Sequence, residues 1–330
     1  GGGYLRRGLM QRKATIFVML WLALPGSAQP VHDQIADRFN AWAETQRVVG
    51  AVGVAQRGGL GVWTIAAPDT ATMRELASLS KSITAACALT LVNAGKLGWS
   101  DRLPKLLGEA PDVTVAQVVT HSAGQGADVT QVAMPLWLDR SAPDATHYSQ
   151  QVLDAINARP SRTGTAGSYH YNNENYALLG LVIEAASGKS FHDYCWPALG
   201  LNTDIAPSPR TGRMQTWGGI AATPAAYLNF LTDWYGPDGA IGRDPFALPH
   251  IKIADGVYYG MGMLFRVRDA GFNFWHFGAL CFPGRLDLGS YAVIWEGEAA
   301  ALATYDACLD WRATQALDAA LASAFYGAWQ

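Results

Sequence analysis

The chain has 330 residues, of which 50% are hydrophobic and 15% are charged, and its formal net charge at pH 7 is −3. This length allows one large domain or two interleaved ones with a sizeable core, and the composition excludes a disordered chain. The small negative charge and the lack of a long basic run give no reason to expect a nucleic-acid partner.

The N-terminal segment has the pattern of a secretion signal. Arg12 and Lys13 precede the apolar run 14–24, and small residues follow at 26–28. The apolar run is too short to cross a bilayer core of about 30 Å, so we expect no stable membrane anchor. The pattern predicts a signal peptide over 1–28 and a periplasmic or secreted mature chain, with a buried N-terminal helix as the alternative.

Export would permit disulfides among the four cysteines, Cys87, Cys195, Cys281 and Cys308. Four cysteines allow three pairings, and the sequence does not choose among them. Cys87 lies in an apolar helical run, where a free buried thiol is at least as consistent with the pattern as a disulfide. No CxxC or clustered metal-ligand spacing occurs, so we expect no metal and no cofactor.

Apolar periodicity and turn residues predict the elements of the first part of the chain. They are a helix over 31–46, strands over 48–55 and 61–66, and helices over 78–93, 113–119, 150–157 and 176–186. The segment 124–148 has little regular pattern and carries Trp137. It is interpreted as a loop over the site, since long ordered loops in compact domains are often functional.

The C-terminal part is predicted to contain a helix over 223–234, strands over 257–267, 272–277 and 290–295, and a final helix over about 300–325. This order indicates an α/β fold in which both ends of the chain complete an antiparallel sheet flanked by helices, with a mainly helical second domain beside it. We expect one hydrolase domain over 29–330. Its α/β part covers about 29–77 and 215–330, and its helical part covers about 78–214.

The motif Ser78-Leu79-Ser80-Lys81 can supply an activated nucleophile. A serine and a lysine three residues apart on a helix share one face, so the amine can reach the hydroxyl. A serine hydroxyl is a poor nucleophile until an adjacent base takes its proton. Lysine can be that base if burial or a neighbouring cation lowers its pKa. Taken alone, the motif is weak and more often reflects a capping serine and a solvated lysine.

A second motif, Tyr171-Asn172-Asn173, follows a glycine- and serine-rich entry and precedes a helix. Tyr171 could exchange protons with the serine and the leaving group, and the Asn173 amide could bind a substrate carbonyl while it steadies the lysine. Tyr227-Leu228-Asn229 has the same spacing but lies inside a helical pattern, where packing is the better interpretation.

The third motif, His276-Phe277-Gly278, ends an apolar strand. A glycine here would let a substrate backbone approach closely, and the amide of Ala279 could join that of Ser78 in an oxyanion hole. Such donors matter, because the loss of one in subtilisin costs about 2.7–4 kcal/mol. By itself, a histidine before a glycine at a strand end is more often structural.

The order of the three motifs resembles that of the serine β-lactamase and penicillin-binding DD-peptidase superfamily. Further similar blocks cover most of the mature chain: 75–84, 95–101, 118–124, 174–180, 199–202, 217–220 and 259–262. In the block 118–124, Ala123 stands where the family usually has serine.

The resemblance implies a covalent acyl-enzyme on Ser78, with Lys81 and Tyr171 sharing the base and acid work. It assigns Asn173, His276, Gly278 and Ala279 to substrate binding. A tyrosine in the second motif is more similar to class C enzymes and DD-peptidases than to class A.

Histidine replaces the lysine that efficient class C β-lactamases carry in the third motif. With an unperturbed pKa of about 6.5, His276 would be largely neutral at pH 7 and a weaker anchor for a substrate carboxylate. This favours an ester, a D-peptide or another acyl substrate over a β-lactam. The neighbouring Tyr169, Trp275 and Phe277 would either favour apolar acyl groups or belong to the core.

The sequence therefore predicts an exported serine hydrolase of the esterase or D-peptidase type, acting on a small-molecule ester, D-peptide or β-lactam without a cofactor. The alternatives are a class C-like β-lactamase and a non-catalytic penicillin-binding sensor on the same fold. An α/β-hydrolase lacks support because no G-x-S-x-G elbow occurs, and a zinc hydrolase lacks H-E-x-x-H.

Overall fold

The computed structural model describes residues 29–67, 71–140, 147–160 and 164–327. The predicted signal peptide, 1–28, lies outside these residues. Among the residues described, no helix is both long and apolar enough to cross a membrane. The same part of the chain contains no cluster of three or more His, Cys, Asp or Glu side chains that could hold a metal ion.

The described strands are β1 (Gly50–Arg57), β2 (Trp63–Ala66), β3 (Arg74–Glu75), β4 (Ile205–Pro207), β5 (Ile220–Ala222), β6 (His250–Ala254), β7 (Val257–Gly260), β8 (Met263–Arg268), β9 (Gly271–Phe282), β10 (Leu286–Trp295) and β11 (Ala299–Tyr305). The described helices are α1 (Val31–Gln46), α2 (Ser80–Asn93), α3 (Leu103–Leu107), α4 (Val115–Val119), α5 (Thr130–Trp137), α6 (Ser149–Asn157), α7 (Asn173–Ser187), α8 (Phe191–Leu199), α9 (Pro224–Tyr235) and α10 (Trp311–Gly327).

Within the described chain, eight strands form one antiparallel sheet in the order β2-β1-β11-β10-β9-β8-β7-β6. The first and last parts of the chain meet where β1 pairs with β11, with Gly50 opposite Tyr305. This confirms the predicted α/β fold with a sheet completed from both ends. A smaller sheet, β3-β5-β4, joins the segment before Ser78 to the segment after the helical region.

Helices cover both faces of the large sheet. On one face, α1 and α10 bury an apolar layer that includes Ile35, Phe39 and Leu321. On the other face, α9 and the helical region around α2 and α7 form the larger core. Each fully buried large apolar side chain contributes about 1.5–3 kcal/mol, so this layering fixes the position of α2 against the sheet.

The final helix predicted over 300–325 is wrong in its first part. Ala299–Tyr305 is the strand β11, and the helix α10 begins only at Trp311. Alanine is the best helix former, which explains the prediction. The segment forms a strand because its side chains are buried on both faces of the large sheet. Ala300 and Leu302 pack into the core beside α9, and Ala301 and Ala303 pack into the core beside α1 and α10. A strand buried on both faces needs small apolar side chains rather than an alternating pattern.

The segment 124–148, which was predicted to be an irregular loop, contains the helix α5. Pro135 lies inside this helix and hides it from a search for helical periodicity. The Asp128 carboxylate accepts the backbone N–H of Thr130, the first residue of α5, at 3.0 Å. The prediction of an irregular loop was therefore wrong over Thr130–Trp137, although α5 does line the active site described below.

A tight turn divides the strand predicted over 257–267 into β7 and β8. Met261 and Gly262 both adopt positive φ, 52° and 81°. A Cβ on Gly262 would lie 2.6 Å from the backbone oxygen of Lys81, so this turn packs directly on the first turn of α2.

Both pairs of cysteines form disulfides, Cys87–Cys195 and Cys281–Cys308. The free thiol considered for Cys87 is therefore wrong. Its partner lies in α8, a helix that the sequence pattern did not predict. Cys281–Cys308 joins the end of β9 to the segment between β11 and α10.

Candidate active site

Ser78 lies in a 3-10 turn, Ala77–Leu79, directly before α2. Ala77 has a φ of 47°, a conformation that costs a non-glycine residue of order 1–3 kcal/mol. The neighbouring Leu76 donates its N–H to the Ile220 backbone oxygen at 2.9 Å and accepts from Ser290 Oγ at 2.8 Å. The turn that presents the hydroxyl is thus held between the small sheet and the large one.

Lys81 is fully buried in the first turn of α2. Its Nζ lies 3.1 Å from Ser78 Oγ, 2.8 Å from Asn173 Oδ1 and 2.7 Å from the Trp217 backbone oxygen. Burial lowers the pKa of Lys81 to about 7, against the opposing effect of the Asp128 carboxylate. Near neutral pH much of Lys81 is therefore a neutral amine. It can donate its two N–H groups to Asn173 Oδ1 and the Trp217 backbone oxygen, and its lone pair can accept the Ser78 hydroxyl proton.

Tyr171 approaches the same hydroxyl from the other side. Its OH donates to Ser78 Oγ at 2.9 Å, and its ring lies 4.9 Å from Lys81 Nζ. Partial burial raises the pKa of Tyr171 above its usual range, against the opposing effect of the hydrogen bond with Ser78. A neutral tyrosine is a proton donor, so these electrostatics favour Lys81 as the base and Tyr171 as the acid.

The second motif is positioned by the block around His121. His121 Nδ1 accepts the Asn172 backbone N–H at 3.2 Å, and its Nε2 lies 3.1 Å from the Tyr259 hydroxyl. Burial, followed by the charge of Lys81, lowers the pKa of His121 well below 6.5. A neutral ring can accept the Asn172 N–H, which places Tyr171 and Asn173 on either side of that anchor.

His276 of the third motif is buried against Tyr171 and Tyr259, with ring centroids 5.7 and 6.0 Å away. Its Nδ1 donates to the Phe277 backbone oxygen at 2.5 Å. Burial, reinforced by the charge of Lys81, lowers the pKa of His276 to about 3. The imidazole is therefore neutral at physiological pH, and His276 supplies no fixed positive charge for a substrate carboxylate.

Gly278 allows β9 to approach the turn that carries Ser78. A Cβ here would lie 2.3 Å from Ser290 Oγ, 2.9 Å from the Leu76 backbone oxygen and 3.0 Å from Ala77 Cβ. The sequence argument assigned this glycine to the approach of a substrate backbone. The space that a side chain would need is instead taken by the protein itself.

Ala279 lies on the accessible part of β9. Among the described residues, β9 pairs with β8 only up to Trp275, and its continuation pairs with β10 alone. Ala279 is exposed and lines the same cleft as Ser78. The predicted oxyanion donors, the amides of Ser78 and Ala279, thus belong to residues on the wall of one cleft.

The active-site cleft has a volume of about 360 Å³. Its lining residues are Ser78, Gln131, Met134, Tyr171, Asn173, Trp217, Gly218, Phe277, Ala279, Leu280, Cys281 and Phe282. None of these described residues has a formal charge. The cleft therefore favours an uncharged and largely apolar group beside the serine.

Of the aromatic residues flagged in the sequence, Phe277 lines the cleft, whereas Trp275 packs under the Arg266 guanidinium at 4.7 Å, in a separate cavity. The packing interpretation of Tyr227 is confirmed, since this residue is fully buried and its hydroxyl lies 3.0 Å from Ser82 Oγ.

The sequence analysis placed the segment 124–148 over the site but missed which of its residues contribute to it. Gln131 and Met134 line the cleft, and Asp128 and Thr130 contact Asn173. An aspartate two residues before a threonine is a helix-capping signal that could have revealed α5. The Trp217 carbonyl carries no sequence signal as a partner of Lys81, because every residue has such a group.

This geometry, a serine shared by a buried lysine and a neutral tyrosine, defines the chain as a serine hydrolase of the β-lactamase and DD-peptidase superfamily. The family model described as Beta-lactamase matches residues 33–248, and the chain belongs to this family.

Two solved structures show the same fold. D-amino acid amidase from Ochrobactrum anthropi SV3 is 16% identical with a TM-score of 0.71, covering 91% of this chain and 99% of that one. A D-stereospecific amidohydrolase from Streptomyces sp. is 18% identical with a TM-score of 0.67, covering 90% and 99%.

Among curated proteins, penicillin-binding protein 4* of Bacillus subtilis is 29% identical over 133 residues, which are 38% of this chain and 28% of that protein. The chain spans about a quarter of the length of the curated relatives that it matches.

Replacing Gly278 with alanine should lower kcat/KM by about 10²-fold, because the added methyl group pushes β9 away from the Ser78 turn. Steady-state kinetics with an activated ester measures this effect. Gly59→Ala is the matched control, since a Cβ at Gly59 meets no atom within 4 Å. Equal activity of the two variants would contradict the close-approach argument.

Proposed function

We propose that this chain is an exported serine hydrolase that cleaves uncharged ester or amide bonds through an acyl-enzyme on Ser78. The observation that carries the proposal is the pair of contacts at one oxygen. Lys81 Nζ lies 3.1 Å and the Tyr171 hydroxyl 2.9 Å from Ser78 Oγ. A base and an acid that share one nucleophile can run both halves of an acyl transfer.

In acylation, the neutral amine of Lys81 takes the Ser78 proton as Oγ attacks the substrate carbonyl. The amides of Ser78 and Ala279 stabilise the oxyanion. Tyr171 then donates its proton to the leaving group as the bond to the acyl carbon breaks, and the Lys81 ammonium restores that proton to the phenolate. Asn173 and the Trp217 carbonyl hold the lysine in place throughout.

In deacylation, the neutral amine of Lys81 accepts a proton from the attacking water and later returns it to Ser78 Oγ. The acyl group leaves Ser78 as a carboxylic acid, and Ser78 recovers its proton. The two oxyanion donors act again on the second tetrahedral intermediate.

The cleft supports an uncharged substrate. Its apolar floor includes Met134 and Trp217, and the indole Nε1 of Trp217 contacts the Met134 sulfur at 3.4 Å. A β-lactam or a peptide with a C-terminal carboxylate would find no formal charge on the lining residues, and His276 is neutral. Structural neighbours named as a D-amino acid amidase and a D-stereospecific amidohydrolase support acyl transfer from amides.

Two observations support export. The charged, apolar and small residues of 1–28 follow the order of a signal peptide. The two disulfides suit an oxidising compartment. The mass of the mature chain from an exporting host tests this part, with cleavage after Ala28 expected and an intact N-terminus contradicting it.

A substrate panel tests the activity. We expect the highest kcat/KM for an uncharged aryl ester with an apolar acyl group, followed by an N-acetylated D-amino acid amide, which is also uncharged. A D-alanyl-D-alanine peptide and benzylpenicillin should be poor substrates. Faster turnover of benzylpenicillin would instead support the class C-like β-lactamase, and a single acylation without turnover would support the penicillin-binding sensor.

The pH dependence should follow Lys81. Because the free amine is the base, kcat/KM should fall as pH drops through about 7 and reach a plateau above it. His276 should add no inflection in this range, since its pKa is about 3. A pH–rate profile with the uncharged ester measures where kcat/KM falls on the acid side. A fall centred near pH 4 would contradict lysine as the base.

A further inference from the structure

A chain of polar contacts runs from the start of α5 to the buried lysine. The Asp128 carboxylate accepts the Thr130 hydroxyl at 2.6 Å and the Thr130 backbone N–H at 3.0 Å, both at Oδ1. Thr130 Oγ1 also lies 3.0 Å from Asn173 Nδ2. Asn173 Oδ1 in turn lies 2.8 Å from Lys81 Nζ. Thr130 is fully buried and Asn173 is 6% exposed, so bulk water does not compete for these bonds.

Proton counting fixes the direction of each bond. An ionised carboxylate only accepts, so the single hydroxyl proton of Thr130 goes to Asp128. Toward Asn173, Thr130 Oγ1 can then only accept, and the Asn173 atom that faces it must be the amide nitrogen. The amide oxygen of Asn173 is therefore turned toward Lys81, which needs an acceptor there.

A reciprocal pair of bonds holds this segment against α7. The Asn173 backbone N–H donates to Asp128 Oδ2 at 3.1 Å, and the Val129 backbone N–H donates to Glu174 Oε1 at 2.7 Å. Glu174 is fully buried and is paired with Arg159. The positions of Asp128 and Thr130 are thus fixed by the same helix start that carries Asn173.

We propose that Asp128 and Thr130 are positioning residues for the reaction: they lock the side-chain amide of Asn173 so that its oxygen, rather than its nitrogen, faces Lys81. The inference deepens the proposed function and rests on the role of Lys81 as the base. With the amide reversed, its N–H groups would face Lys81 Nζ at 2.8 Å, and the neutral amine would turn its lone pair toward Asn173 and away from Ser78.

Asp128 also has an electrostatic part in this arrangement. The titratable groups that face Lys81 are Tyr171, Tyr176, His121, His276 and Asp128. Burial keeps the two tyrosines and the two histidines neutral near pH 7. Among these groups Asp128 carries the charge, and it favours the ammonium form of Lys81.

The first test compares Thr130→Val with Thr130→Ser. Valine has a similar shape but removes the acceptor for Asn173 Nδ2, so kcat should fall by about 10²-fold with little change in KM. Serine keeps the hydroxyl and should restore most of kcat. Thr223→Val is the matched control, because the Thr223 side chain caps α9 by accepting the Ala226 N–H. It should affect thermal stability and leave kcat unchanged.

The second test is the pH–rate profile of Asp128→Asn. Loss of the negative charge should move the acid limb of kcat/KM to lower pH, because the ammonium of Lys81 loses its partner. If the acid limb of the Asp128→Asn profile stays in place, or if Thr130→Val keeps full kcat, the positioning role of Asp128 and Thr130 is overturned. The assignment as a serine hydrolase would still stand. Wild-type activity in Ser78→Ala or Lys81→Met would instead overturn the proposed function itself.

Discussion

The structure around the active site depends on one buried lysine. Lys81 Nζ has three oxygen partners within 3.1 Å, contributed by Ser78, Asn173 and Trp217. An amine in such a place costs free energy unless every proton has a partner or the charge is lost. The fold provides these partners, because the turn before α2, the start of α7 and the segment before β5 all pack around Lys81 Nζ. The same burial that threatens stability brings the pKa of Lys81 to about 7, where the amine can act as a base.

The chemistry of the third motif follows from the same lysine. Desolvation and the charge of Lys81 together keep His276 neutral. The edge of β9 therefore offers a substrate backbone donors and apolar surface, and no positive charge. If the proposed function holds, this motif and the uncharged cleft would set the selectivity against substrate carboxylates.

The motifs were predictable from the sequence because each is local: spacing alone puts Ser78 and Lys81 on one helical face. The antiparallel sheet was predictable from the order of the elements. The strand Ala299–Tyr305 was not, because its alanines favour a helix until cores on both faces bury them. The chain of polar contacts from Asp128 through Thr130 and Asn173 was not predictable either. Thr130 and Asn173 lie 43 residues apart, and their contact exists only in the folded chain.

The central claim is that Ser78 forms a covalent acyl-enzyme with Lys81 as its base. Intact-protein mass spectrometry after rapid acid quench tests it most directly, with an uncharged aryl ester mixed with wild type, Ser78→Ala and Lys81→Met. We expect a transient mass increase equal to the acyl group in wild type, located by peptide mapping to Ser78. Neither variant should acquire it. Substrate turnover with no adduct at any quench time, or an adduct that persists in Ser78→Ala, would contradict the account.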